Sequence, residues 1–239
     1  MSKSIAVFGA GPGLGQAVAH RYGREGYSVV LVGRRQEPLD QLAKQLAADG
    51  AQAHAISADL ADTAAIAELA DRIRAAVGDL DVIYYGAAAN GFIPVLDLTP
   101  QRVQDLMPLG VYGLLALVRE FLPSMIARGT GAILSAQGAS ALRGNADIAG
   151  GVALAAQRNY LQALHAEVAG KGVYVGGLYI GAAIENTPFH ARFQAAKAAG
   201  APVPELPTVD PVRLADLLWT MHNTTGQLEV TYPHDLLTK

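Results

Sequence analysis

The stretch FGAGPGLG, residues 8 to 15, decides the fold of this chain. It follows the apolar run Ile5–Phe8, which predicts a buried strand, and it leads into an alanine-rich stretch with helical periodicity. Gly9, Gly13 and Gly15 suit a tight turn and a close approach of backbone to a pyrophosphate. The free N–H groups at the start of a helix attract anions. The stretch therefore predicts a strand, a phosphate-binding loop and a helix of an α/β domain.

Beyond this loop, short β-branched runs alternate with long amphipathic stretches, which indicates βαβ units around a parallel sheet. The predicted strands are Ile5–Phe8, Ser28–Val32, Ala53–Ser57, Val82–Tyr85, Ala132–Ala136, Val173–Tyr179 and Gln227–Thr231. The predicted helices are Gly13–Glu25, Glu37–Ala48, Asp62–Val77, Thr99–Ala127, Gly151–Ala169 and Asp210–His222. Pro108 should kink the fourth helix, because proline has no N–H to donate. We expect a doubly wound, Rossmann-type α/β fold with a mostly parallel seven-stranded sheet, as one domain over residues 1–239.

Residues 182–208 interrupt this regular pattern, since three prolines follow a short amphipathic segment. In doubly wound folds, ligands bind outside the carboxyl ends of the strands. A segment that follows a late strand is therefore predicted to act as a substrate lid. The alternative is a surface loop that contains one helix.

Composition narrows the range of partners. The 18 Lys plus Arg and 21 Asp plus Glu give a net charge of −3, so no basic field favours nucleic acid or an anionic membrane. The chain has no cysteine, which excludes disulfides and thiolate chemistry, and its six histidines show no paired metal-ligand spacing. No apolar run reaches the roughly 20 residues that cross a bilayer, and no leader pattern is present. We expect a cytoplasmic protein with a small-molecule partner and no metal.

Several further motifs occur in a characteristic order along the chain. They are SADL at 57–60, GDLDVIYYGAAA at 78–89, GAILSAQGAS at 131–140, VYVGGLYIG at 173–181 and TGQLEV at 225–230. Together with the spacing of the glycines in the first loop, they make the chain resemble the short-chain dehydrogenase/reductase family. The resemblance implies that the chain binds a nicotinamide dinucleotide.

The second predicted strand leads into Arg34 and Arg35, where an NAD-binding relative would carry an acidic residue for the ribose 2′-hydroxyl. Guanidinium groups suit a 2′-phosphate, so NADP(H) is the expected cofactor, although either arginine could instead face solvent. The resemblance implies further cofactor contacts. They are Gly9, Pro12, Gly13, Leu14 and Gly15 at the pyrophosphate, Asp59 and Leu60 at the adenine, Gly86, Ala87 and Ala88 beneath the ribose, and Ile180 and Gly181 at the nicotinamide.

The family's catalytic residues are an Asn, a Ser, a Tyr and a Lys, and the flanking motifs place other residues at all four positions. They are Met107 for Asn, Gly138 for Ser, Gly151 or Gly150 for Tyr, and Ala155 or Leu154 for Lys. A shift of register does not restore the Lys, because none lies between Lys44 and Lys171. The usual acid–base cycle is therefore expected to be absent.

Polar residues near the same strand ends are candidates to replace this machinery. Ser140 follows the missing Ser by two residues, and Tyr179 ends the sixth predicted strand just before Gly181. Asn145 and Asp147 lie on the next loop. Each also has a structural alternative as a turn former, an exposed acid or a partly buried aromatic. Ser140 and Tyr179 are the predicted catalytic residues.

Two functions follow. The first is an NADP(H)-dependent oxidoreductase with an atypical active site, which reduces a small activated substrate with a C=N, conjugated C=C or C=O bond. The second is a catalytically silent homologue that binds NADP(H) and acts as a sensor or a partner subunit. The fourth and fifth predicted helices carry more apolar surface than one sheet face needs, so a homodimer or homotetramer is expected.

Overall fold

A seven-stranded sheet with every pairing parallel organises the chain, in a computed structural model that describes residues 2–87, 92–200, 203 and 206–236. The strands are β1 Ser4–Phe8, β2 Ser28–Gly33, β3 Ala53–Ser57, β4 Val82–Tyr85, β5 Gly131–Gly138, β6 Val173–Ile180, β7 Ala183–Ile184, β8 Thr208–Val209 and β9 Glu229–Tyr232. The sheet order is β3-β2-β1-β4-β5-β6-β9. The predicted fold class is confirmed.

Helices cover both faces of this sheet. They are α1 Leu14–Arg24, α2 Gln36–Ala48, α3 Ile66–Val77, α4 Pro100–Met107, α5 Gly113–Arg128, α6 Gly151–Val168, α7 Pro188–Ala198 and α8 Pro211–Thr224. One apolar cluster packs α1, α2 and α8 against the sheet, and a second packs α3, α5 and α6 against the opposite face. The side chains of β5 and β6 therefore alternate between two helical layers.

The long helix predicted at Thr99–Ala127 is interrupted, as Pro108 indicated. A π-helical segment at Pro108–Tyr112 separates α4 from α5. Within it, the carbonyl oxygen of Gly110 accepts a hydrogen bond from the Gln157 side chain on α6. Among the described residues, the continuous stretch Pro100–Arg128 is the one helical segment long and apolar enough to span a membrane, and 44% of its most apolar window is buried in the fold.

The strand order reverses between β1 and β4, and the loops that follow these strands meet at that point. Gly9 has a φ of +98°, and a β-carbon there would lie 2.8 Å from the backbone nitrogen of Ala87. Only glycine combines this dihedral with such a close approach. Reversal of strand order opens a crevice at the carboxyl ends of the strands, which is where this fold class binds ligands.

Three boundaries differ from the sequence prediction in ways that affect the site. β5 ends at Gly138 rather than at Ala136, and β6 ends at Ile180 rather than at Tyr179. Gln137, Gly138 and Ile180 therefore belong to the sheet and not to the loops that follow it. In residues 183–209, β7 pairs with β8 in parallel and the two strands bracket α7. Strands of two residues have too little apolar pattern to be recognised in a sequence.

Candidate functional site

A cavity of about 770 Å³ lies at the carboxyl ends of the strands, beside the reversal of strand order. Eleven of the predicted cofactor residues line it: Gly9, Pro12, Leu14, Gly15, Arg34, Arg35, Asp59, Leu60, Gly86, Ala87 and Ile180. Two others, Gly13 and Gly181, neighbour wall residues without belonging to the wall. Ala88, also predicted to contact the cofactor, lies outside the described residues. Residues distant in sequence are thus brought to one crevice.

The glycine loop is held rigidly at the head of α1. The backbone N–H groups of Gly9 and Ala10 both donate to the carbonyl oxygen of Val32, each at 3.0 Å. A β-carbon at Gly15 would lie 2.1 Å from the carbonyl oxygen of Gly9, so helix and loop fit together only with glycine there. No side chain caps the N-terminus of α1. The N–H of Gln16 donates to the carbonyl oxygen of Gly11, which leaves the N–H groups of Leu14 and Gly15 available to an anion in the cavity.

Arg34 and Arg35 stand at the end of β2 on the rim of this cavity, and both side chains are exposed. Neither forms a salt bridge or side-chain hydrogen bond with another residue in the part of the chain that the structure describes. Two uncommitted guanidinium groups at this place can bind a phosphate with charge-assisted hydrogen bonds.

The other end of the cavity is formed by β5, β6 and the segment after β6. Its wall includes Leu109, Ala136, Gln137, Gly138, Ile180, Ala182, Ile184, Thr187 and Pro188. Gly138 is exposed at the end of β5, and Ala155 is exposed on α6. The side chain of Met107 packs against a small apolar cluster of Ile93, Leu106 and Ala153. In the π-helical segment after α4, the backbone carbonyl of Gly110 accepts a hydrogen bond from Gln157 on α6.

Ser140 lies between two glycines at this edge of the sheet. Its hydroxyl oxygen is 3.7 Å from where a β-carbon of Gly138 would be and 3.0 Å from where one of Gly151 would be. The side chain is partly exposed, and no residue in the described ranges forms a hydrogen bond with its hydroxyl. Ser140 is not itself a wall residue of the cavity. It is nevertheless the hydroxyl closest to both glycine positions.

Tyr179 was predicted as a catalytic residue because it ends a strand just before Gly181, yet it is not a wall residue of the cavity. Gly177 has no side chain, and the tyrosine ring folds back over it, with the hydroxyl oxygen 2.8 Å from where a β-carbon of Gly177 would be. The hydroxyl is 3.4 Å from Oε1 of Glu229, which also pairs with Arg158 at 2.7 Å. Burial, and secondarily the Glu229 carboxylate, raise the pKa of Tyr179. The structure thus places this hydroxyl away from the cavity.

A buried network of amides lies below Gly138, and the sequence analysis did not identify it. Gln157 Oε1 accepts hydrogen bonds from Ser135 Oγ at 2.8 Å and from Gln137 Nε2 at 2.5 Å, and Gln157 Nε2 donates to the Gly110 carbonyl. Each of the three side chains is at most 5% exposed. The sequence does carry a weak signal for this network. Ser135 and Gln137 are polar residues at alternate positions of a buried strand, and Gln157 is a glutamine in an alanine-rich helix.

The segment after β6 lies against the phosphate loop. The Thr187 hydroxyl donates to the carbonyl oxygen of Ile184 at 2.7 Å and accepts from the backbone N–H of His190 at 3.1 Å, which caps α7. The Thr187 methyl carbon is 2.5 Å from where a β-carbon of Gly13 would be. The rings of Phe189 and Phe92 stack with centroids 4.8 Å apart. Four residues of this segment, namely Ala182, Ile184, Thr187 and Pro188, belong to the wall of the cavity.

Curated relatives are similar to this chain in sequence. The chain is 29% identical over 226 residues to 1-deoxy-11-beta-hydroxypentalenate dehydrogenase of Streptomyces exfoliatus, covering 91% of this chain and 78% of the relative. It is 33% identical to serine 3-dehydrogenase of Agrobacterium fabrum, covering 73% and 70%. Other curated relatives are matched over as little as 46% of their length. The activity, substrates and partners of the whole protein are therefore matters of proposal.

Two solved structures illustrate the likeness in three dimensions. A metagenomic short-chain oxidoreductase in complex with NADP is 25% identical, with a TM-score of 0.78 and 96% of each chain covered. An actinorhodin polyketide ketoreductase variant with NADPH has a TM-score of 0.88 at 22% identity, covering 98% of this chain and 97% of that one, which shows a shared fold. A sequence model of the short chain dehydrogenases matches residues 3–198. This chain belongs to the short-chain dehydrogenase family.

Proposed function

We propose that this protein is an NADP(H)-dependent oxidoreductase that reduces a small, activated C=N, conjugated C=C or C=O bond. The observation that carries the proposal is one continuous cavity, with the glycine loop and Arg34 and Arg35 at one end and the edge of β5 and β6 at the other. The first end suits a dinucleotide with a 2′-phosphate. The second leaves room for a substrate beside the nicotinamide.

The residues at the reaction end support an activated substrate. Gly138, Gly151 and Ala155 offer no hydroxyl, phenol or ammonium group, and the nearby Arg158 is committed to Glu229. A positioned general acid contributes roughly 10²–10⁴-fold to the rate of a reaction such as ketone reduction. A substrate that already carries positive charge, or that spreads negative charge into a conjugated system, depends less on that help.

Bound NADPH would supply a hydride at the nicotinamide, and the chain's own residues would bind and orient both partners. The α1 N-terminus and the two arginines would hold the phosphates. The segment from Ile180 to Pro188 would cover the nicotinamide and exclude water, which is the role proposed for residues 182–208 as a lid. Ser140 is the hydroxyl available to orient the substrate or to pass it a proton.

The proposal is tested by following NADPH oxidation with matched substrates at pH 7. A cyclic imine or a cyclic enone should be reduced, whereas cyclohexanone and a plain secondary alcohol with NADP⁺ should turn over negligibly. Ser140→Ala should lower the rate with the accepted substrate if its hydroxyl orients that substrate. Brisk, saturable oxidation of the plain alcohol would overturn the assignment of the glycine and alanine positions.

The competing function is a silent family member that binds NADP(H) and acts as a sensor or as a partner subunit. It is favoured by the same features that weaken catalysis: the flanking motifs place Gly151 or Gly150 where the family has its tyrosine, and Gly151 is packed against Ser140. Tight binding of NADPH, combined with no turnover of any activated substrate, would establish this second function.

Two further proposals concern the protein in the cell. Tyr112 and Leu115 on the α5 side and Val152 on α6 are apolar and at least 36% exposed, which supports a homodimer or homotetramer built on these helices. A cytoplasmic location fits the proposed dependence on the cell's NADPH.

A further inference from the structure

The turn Arg34–Arg35 lies between two points at which the chain is hydrogen-bonded to the end of β3. Before the turn, the carbonyl oxygen of Gly33, the last residue of β2, accepts a hydrogen bond from the Ala58 N–H at 2.9 Å. After the turn, Oε1 of Gln36, the first residue of α2, accepts a hydrogen bond from the Ser57 N–H at 3.1 Å. The two arginines are therefore held from both sides at the carboxyl end of β3.

The second of these attachments is made entirely by the Gln36 side chain. β3 is the edge strand of the sheet, so its outer N–H and C=O groups have no strand to pair with. While Oε1 of Gln36 accepts from the Ser57 N–H, Nε2 donates to the carbonyl oxygen of Ala55 at 3.3 Å and to Oδ1 of Asp40 at 2.8 Å. One amide thus pairs with two backbone groups of β3 and with the first turns of α2.

This attachment bears on the cofactor end of the cavity, although Gln36 is not a wall residue. Arg34 and Arg35 line the cavity, and both side chains are exposed. A phosphate that binds them must immobilise two long side chains, which costs conformational entropy. That cost is smaller when the backbone that carries them is already fixed. Gln36 can therefore affect phosphate binding without touching the phosphate.

We propose that Gln36 is a positioning residue for cofactor choice, whose side chain holds the Arg34–Arg35 turn against β3 and so keeps both guanidinium groups ready for a 2′-phosphate. The inference rests on the proposed function, since it concerns the 2′-phosphate end of that same cavity. It assigns part of the preference for NADPH to a neutral residue that the cofactor does not contact.

The test compares the dissociation constants of NADPH and NADH, measured by fluorescence titration at one ionic strength, in the parent protein and in Gln36→Met. Methionine keeps the length of the side chain and its helix propensity but removes all three hydrogen bonds. The parent protein should bind NADPH at least about tenfold more tightly than NADH. Gln36→Met should weaken NADPH binding by about three- to tenfold, as expected for loss of exposed hydrogen bonds, and should change NADH binding by less than about twofold.

A second arm repeats this change in a protein that lacks both guanidinium groups, Arg34→Ala with Arg35→Ala. In that background Gln36→Met should alter NADPH affinity by less than about twofold, because a residue that acts through the arginines has nothing left to position. A residue that contacted the cofactor, or that only stabilised the fold, would cause the same loss in both backgrounds.

Gln101→Met is the matched control. Gln101 is also an exposed residue at the start of a helix, and its Nε2 donates to Oδ1 of Asp105 at 2.9 Å, as Gln36 does to Asp40. Gln101 does not line the cavity, so both affinities should be unchanged. If Gln36→Met does not unfold cooperatively on heating, Gln36→Asn replaces it, since it withdraws the amide from β3 by one methylene and should cause the same loss.

Three results would overturn the inference: NADPH affinity unchanged in Gln36→Met, an equal loss of NADPH and NADH affinity, or an undiminished loss in the background without arginines. Equal affinity of the parent protein for both nucleotides would also overturn it, together with the assignment of the 2′-phosphate site. No substrate is present in these titrations. Absence of reduction with NADPH would therefore count against the proposed function alone.

Discussion

A β-carbon at Gly151 would lie 2.7 Å from both the β-carbon and the carbonyl oxygen of Ser140. Gly151 is the first residue of α6 and is buried, and Ser140 belongs to the turn that follows β5. The helix thus starts in direct contact with the backbone of the preceding loop. A side chain therefore cannot be added at Gly151 without moving this loop.

We therefore predict that Gly151→Ala lowers the free energy of unfolding by about 1–3 kcal/mol, the usual cost of overpacking. The double change Gly151→Tyr with Ala155→Lys should not create reduction of plain ketones, because the tyrosine would displace the loop that it needs to face. Urea unfolding and NADPH oxidation with cyclohexanone measure the two effects.

Gly144→Ala is the control for the first effect, since nothing lies within 4 Å of a β-carbon at Gly144 and its φ is not positive. It should change stability by less than about 0.5 kcal/mol. A Gly151→Ala protein as stable as the parent would contradict the packing argument.

The second prediction concerns cofactor choice. Arg34 and Arg35 are exposed at the cavity rim, so each can reach a 2′-phosphate with charge-assisted bonds worth roughly 1.5–3 kcal/mol. NADPH should bind at least about tenfold more tightly than NADH. Arg34→Ala or Arg35→Ala should remove most of this difference by weakening NADPH alone, as measured by fluorescence titration of both nucleotides.

Arg24→Ala, which removes an exposed arginine outside the cavity, should leave the preference for NADPH unchanged. Two nucleotides of equal affinity in the parent protein would end the assignment of the 2′-phosphate site. The comparison is best made at one ionic strength, because exposed charges are screened by salt.

The third prediction concerns the ion pair behind Tyr179. Hydrogen bonding from the Arg158 guanidinium holds the pKa of Glu229 below its ordinary value, and the two side chains are 29% and 25% exposed. A carboxyl group whose pKa is lowered by folding stabilises the protein above its unfolded pKa, and the contribution disappears as pH falls through the folded pKa. Glu229→Gln should therefore destabilise at pH 7 by about 1–3 kcal/mol, with a smaller loss below about pH 4.

The variant Tyr179→Phe separates the contribution of the tyrosine hydroxyl from that of the Arg158–Glu229 ion pair. The hydroxyl lies 3.4 Å from Glu229 Oε1, which is long for a hydrogen bond, so its removal should cost less than Glu229→Gln in thermal unfolding at the same pH. An equal penalty for Glu229→Gln at pH 7 and at pH 3 would show that the ion pair is not the source of the stability. Loss of NADPH-dependent turnover in Tyr179→Phe, without loss of stability, would return this tyrosine to the candidate active site.

The fold was predictable because its signals are local. The glycines of the first loop, the β-branched runs and Pro108 each act within a few residues of themselves, and the sheet follows from their order.

The position of Tyr179 was not predictable in this way. Its ring folds back because Gly177 leaves space two residues earlier, and because Glu229 and Arg158 arrive from β9 and α6. Similarly, the orientation of Gln137 depends on its contact with Gln157, whose side chain in turn donates to the Gly110 carbonyl in the segment before α5. Such contacts are set by tertiary packing and leave only a weak trace in sequence.

The last prediction concerns assembly. Leu115 on α5 and Val152 on α6 are 36% and 45% exposed, and apolar side chains on two neighbouring helices lose that exposure when two copies pack around a two-fold axis. A stable interface buries at least about 1,000 Å² in total, so a charge placed within it should dissociate it. The parent protein should sediment as a dimer or tetramer at micromolar concentration, and Leu115→Glu with Val152→Glu should sediment as a monomer.

Val212→Glu is the matched control, since Val212 is 44% exposed on α8, which packs on the opposite face of the sheet from α5 and α6. It should not yield monomers. A monomeric parent protein would refute the proposed assembly, and dissociation by Val212→Glu alone would move the interface from α5 and α6 to α8.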